Sequence, residues 1–135
     1  MTDARARAVL RVSAVVHVVV GVLLALATWD GLYDALELPQ PLPAVIAQLG
    51  GIAVIALGYL LWTAGSSPTL RAPVARAAGA TNLLWAVILV LWLTVRDQDD
   101  LGVGDAGIAA LVVAAAVFAT LGLATLVTGA RRPGP

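Results

Sequence analysis

The sequence predicts an all-α membrane protein: four transmembrane helices running up-down-up-down in a single domain, with both termini cytoplasmic. Three observations lead there. Apolar residues make up 61% of the 135 and charged residues 12%, so the long segments are apolar all round rather than on one face. Four stretches reach about twenty residues, enough at 1.5 Å per residue to cross roughly 30 Å of hydrocarbon. The charges sum to zero but are sorted along the chain. Arg5, Arg7, Arg11, Arg71, Arg76, Arg131 and Arg132 fall in three segments, while Asp30, Asp34, Glu37, Asp97, Asp99, Asp100 and Asp105 fall in the two between. Only Arg96 and Asp3 depart from this alternation, which the positive-inside rule produces when the basic segments are cytoplasmic.

The first span covers about 9–29, with Arg11 at its inner lip and Trp29 at the outer interface. Its basic start, apolar centre and Ala25-Leu26-Ala27 also fit a cleaved signal peptide. A retained helix is expected, because the apolar run reaches full span length and supplies the fourth helix. In residues 30–43, Leu32, Tyr33, Leu36 and Leu38 fit a short helix at headgroup level, stopped by Pro39 and Pro41; a plain polar connection fits as well. The second span, about 43–64, carries Gly51 and Gly58, and Gly65 continues the seven-residue spacing just beyond it; such a stripe lets another backbone approach closely.

Residues 66–71, with Pro68, form the inner turn, and the third span covers about 72–95. After a short acidic outer loop, Asp105 is placed to cap the fourth span, about 106–128. There Ala106, Ala110 and Ala114 follow a small-xxx-small spacing that continues to Gly122. Trp29 and Trp92 at the outer ends and Trp62 near the inner end read as interfacial belts.

Polar side chains inside the spans are few, and hydrocarbon makes each of them costly unless it is paired. His17 lies six residues past Arg11, Asn82 six past Arg76, and Thr125 six before Arg131 on a helix running the other way. Each therefore falls about 9 Å below its arginine, at one depth in the cytoplasmic leaflet. Ser13 and Gly21 share the face of His17, and Trp85 shares the side of Asn82. Two readings stand. In one, these groups hydrogen-bond across the bundle and set helix register, each worth roughly 0.6–2 kcal/mol. In the other, Ser13, His17, Asn82, Trp85 and Thr125 form a small polar or proton-responsive site.

Several chemistries lack their residues. Without cysteine there is no disulfide, thiol redox couple or thiolate metal site, and one histidine with only an initiator methionine cannot ligate haem from both sides. No metal or other cofactor is expected. The outer run Asp97-Gln98-Asp99-Asp100-Leu101-Gly102 begins like a calcium loop, but Leu101 and Ile108 occupy its fifth and twelfth positions, where oxygen ligands belong. No span carries a central carboxylate, so proton-coupled drug exchange through a membrane-embedded glutamate has no residue to use. Catalytic motifs are absent, and the basic tails are too short for specific nucleic-acid binding.

The stretch LGGIAVIALGYLLWTA in the second span, TNLLWAVILVLWL in the third and the alanine-rich fourth resemble the DoxX-like group of small bacterial four-helix membrane proteins. That resemblance implies the bacterial inner membrane and an association with redox-linked membrane complexes. The sequence itself holds no redox centre. The expected function is thus a non-enzymatic subunit or scaffold, in contact with lipid and with a membrane partner or further copies, packing through its small-residue stripes. A small-solute transporter or channel lined by His17, Asn82 and Thr125 is the alternative. A redox-linked subunit using a partner's cofactor is a third possibility.

Overall fold

The computed structural model describes residues 3–39, 44–95 and 103–130. Pro41, Pro43, the loop aspartates 97, 99 and 100 with the calcium-like run, Arg96, and the Arg131-Arg132 tail lie outside the described residues. The chain is all-helical, with no strand among the described residues: α1 Asp3–Ala25, α2 Asp30–Ala35, α3 Ala44–Ser66, α4 Pro68–Val95 and α5 Asp105–Ala130. Four of these, α1, α3, α4 and α5, are long and apolar enough to cross a membrane. Valines and leucines such as Val12, Val19, Ile46, Ile52, Leu84 and Val113 stand exposed along them. That outward apolar face is what a hydrocarbon solvent calls for.

The helices outrun the apolar stretches. α1 begins at Asp3 and includes Arg5 and Arg7, and it ends at Ala25, before Trp29. α4 begins at Pro68 rather than near 72, leaving Ser67 as the whole connection from α3. Pro68 suits a first helical position because its missing N–H has no acceptor to serve there. The Arg71 N–H donates to the Ser67 carbonyl, closing the first turn. Pro73, inside α4, makes the sequence resemble a later helix start, yet it costs only the bond to Thr69 in the second turn.

Packing is uneven. α1 lies along α3 and α4 along α5; contact between these two pairs is sparser. Between helices in hydrocarbon there is no hydrophobic drive, so close backbone approach matters most. A Cβ built on Gly51 would fall 2.5 Å from the Gly21 carbonyl, and one on Gly58 would fall 3.0 Å from that of Ala14. Gly65 is looser, with its nearest neighbours at 3.9 Å. In the other pair, Gly79 meets Leu126, Gly122 meets Leu83, and Gly129 meets Arg76 and the Ala72 carbonyl. The pairs join in a small core near the arginine-bearing end, where Leu10, Ala14, Leu61, Ala64, Ala75 and Ala78 come together.

α5 does not use the face its alanine spacing marks. Ala106 and Ala110 are exposed and Ala114 is half-buried; Gly107, Ala115, Phe118, Gly122, Thr125 and Gly129 are buried instead. The helix is small or branched all round, and the larger Phe118 and Leu121 decide which side turns inward.

The two ends differ in chemistry. At the basic end, Arg11 sits over the Trp62 ring at 5.2 Å, Arg76 donates to the Gly129 carbonyl at 2.8 Å, and Arg71 pairs with Asp3 at 3.2 Å. At the acidic end, α2 forms the short helix its leucines suggest, and the buried Tyr33 donates to the Leu23 carbonyl at 3.3 Å. Burial also raises the Tyr33 phenol above its usual titration range. The cap of α5 is not Asp105, which lies in the first helical turn. Glu37, 69 residues away, supplies it: its carboxylate accepts from the Ala106 N–H at 3.1 Å, and its carbonyl accepts from the Gly104 N–H. Glu37 has a φ of 50°, which aims both acceptors at the start of α5.

Candidate functional site

Ser13, His17, Asn82 and Thr125 are each at most 1% exposed. Packing brings His17, Asn82 and Thr125 near one level, with Ser13 one helical turn nearer the basic end. Ala14 of α1 and Ala78 of α4 belong to the same core cluster, so one turn further along brings His17 and Asn82 level with each other. On α5, Gly122 and Leu126 flank Thr125 and meet Leu83 and Gly79, which flank Asn82. Gly58 of α3, against Ala14 and Val18, faces the same stretch of α1. Thr125 of α5 and Asn82 of α4 thus lie at neighbouring levels in the packed structure.

One residue that sequence reasoning missed ties the stratum together. Phe118 of α5 meets the His17 ring edge-on at 6.1 Å and stacks on Trp85 at 6.2 Å. Trp85 is partly exposed and Phe118 is buried, so the aromatic run extends from the interior to the flank of α4. As the chain's sole phenylalanine among small residues, Phe118 was the one signal available.

The hydrogen bonding is incomplete. The Thr125 hydroxyl is satisfied on its own helix, 2.7 Å from the Leu121 carbonyl and 3.0 Å from that of Gly122. His17 Nδ1 donates to the Ser13 carbonyl at 2.7 Å. His17 Nε2, Ser13 Oγ and both polar atoms of Asn82 are buried with no protein partner. An unmade buried hydrogen bond costs about 1–3 kcal/mol, so four such atoms are expensive for a purely structural feature. A register-setting network would have paired them with one another.

No group of three or more histidine or acidic side chains able to hold a metal occurs among the described residues. The groove between α4 and α5, lined by Leu83, Val87, Val90, Val112 and Ala116, is wholly apolar and includes none of the polar stratum. Compared with models of protein families, with characterised proteins and with solved structures, the chain matches none.

Proposed function

We propose that this chain is a non-enzymatic multi-pass protein of the bacterial inner membrane, with both termini cytoplasmic, that binds a small polar solute and passes it across the bilayer. The observation that carries this reading is the set of buried, unpartnered polar atoms on His17, Asn82 and Ser13. An ionisable residue buried within a span is read first as part of a functional site, and His17 is such a residue. The orientation follows the arginines: Arg11, Arg71 and Arg76 gather at one end, where the positive-inside rule places the cytoplasm.

The small-residue stripes lend less support to a scaffold than their spacing promises, because Gly51, Gly58 and Gly122 meet helices of this same chain. One feature still favours a subunit role. Ala106 and Ala110 leave a small-residue face of α5 uncovered, open to a further copy or another membrane protein, including a redox partner carrying its own cofactor. Mild detergent extraction with mass measurement of the intact complex separates a heteromer from a lone transporter.

Flux into liposomes tests the main reading. Uptake of glycerol or acetamide, followed by osmotic light scattering, is expected to exceed that of protein-free vesicles and to be lost in His17→Ala. Flux equal to that of protein-free vesicles would remove the transport function.

A further inference from the structure

The chemistry of the stratum restricts what it can hold, given the solute-handling reading above. The Ser13 carbonyl can only accept, so the 2.7 Å contact fixes the proton on His17 Nδ1. In the neutral ring, Nε2 is then a bare acceptor, buried and unpartnered. Asn82 adds an acceptor at Oδ1 and two donors at Nδ2, all unpartnered, and the Ser13 hydroxyl can serve either way.

Charge is missing from every wall. On α1 the nearest charged side chain is Arg11, six residues toward the basic end and engaged with Trp62. α3 presents Gly58. α4 presents Asn82 and Trp85, and its nearest charge is Arg76, bonded to the Gly129 carbonyl. On α5, Thr125 lies near the Asn82 level and Phe118, two turns nearer the acidic end, reaches the His17 ring; neither is charged. An ion at this level meets no counter-charge, and burying an uncompensated charge costs more than a few hydrogen bonds return.

We infer that the stratum is a binding site for a small uncharged amide or alcohol, which donates N–H or O–H to His17 Nε2 and meets Asn82 through both edges of its carboxamide. The ligand needs a donor for Nε2 and an acceptor for Nδ2, and both classes carry them.

His17 is the only histidine, so nitrogen-15 histidine labelling of the full chain in lipid nanodiscs reports one imidazole. In the neutral ring the proton is expected on Nδ1, with Nε2 bare. Acetamide or glycerol should then shift the Nε2 resonance saturably, while acetate and methylammonium leave it in place. Asn82→Ala should abolish the response. The assignment is overturned if Nε2 carries the proton, if the charged probes act equally, or if neither neutral probe moves the resonance. These wild-type measurements decide the matter whether or not the variant folds. A saturable shift without flux keeps the site and removes transport; flux without a shift keeps transport and removes this ligand assignment.

Discussion

Gly21 and Gly51 bring α1 and α3 into backbone contact: a Cβ on either would lie within 2.7 Å of the other's carbonyl oxygen. Neither position has room for a side chain unless the helices move apart. Gly51→Leu is therefore expected to lower thermal stability in detergent by about 1–3 kcal/mol, the usual cost of overpacking. Gly50, with nothing within 4 Å, should accept leucine with little change. Equal losses at the two sites would show that the close approach is not what holds this pair.

Asn82 separates a register-setting role from a site. Its carboxamide is fully buried with both polar atoms unpartnered. Replacing such a group by a similar apolar one removes an unmet hydrogen-bonding demand. Asn82→Leu should thus match or exceed the wild-type stability, by up to roughly 1–3 kcal/mol, while losing flux. A clear drop in melting temperature would mean that Asn82 holds the helices in register.

Glu37 combines a favourable contact with an unfavourable backbone. Its carboxylate serves the α5 N-terminus, but a φ of 50° is a region that side chains rarely adopt. Alanine there loses the carboxylate and keeps the strain; glycine loses the carboxylate and is relieved of it. Glu37→Ala should be less stable than Glu37→Gly by about 1 kcal/mol, measured by thermal unfolding. The reverse order would mean that the left-handed turn is not strained.

Tyr33 predicts a response at alkaline pH. Burial raises its pKa in the folded chain above the unfolded value of 10.0, so the fold favours the protonated phenol. Its contribution is complete below pH 10.0 and is lost as pH rises through the higher folded value. Tyr33→Phe should flatten that part of the stability curve, apart from a constant loss of the bond to the Leu23 carbonyl. An unchanged slope in the variant would assign the alkaline loss to other groups.

The spans were legible because twenty apolar residues have one arrangement in hydrocarbon; for residues 30–43 the sequence fitted a short helix and a plain connection alike, and α2 is the helix. The equal count of six residues from an arginine to His17, Asn82 and Thr125 was legible, since rise per residue is constant along a helix. Choice of partner was not. A glycine stripe says that something approaches closely without naming it, and Gly51 found Gly21 of the preceding span. The buried face of α5 was hidden by a composition that barely distinguishes its sides. Glu37 as a cap for α5 was out of reach, because it depends on a left-handed turn 69 residues upstream.

The pairing of α1 with α3 and of α4 with α5 gives the molecule the mechanics of a book with two stiff covers. Each cover is locked internally by glycine contacts, and the covers meet through the small core at the basic end, the Arg71–Asp3 pair, the His17–Phe118 contact, the connection at Ser67 and the contact of Glu37 with α5. His17 lies on one cover, with Asn82 and Thr125 on the other. A change in the angle between the covers would therefore alter the spacing across the polar stratum while leaving both glycine interfaces intact.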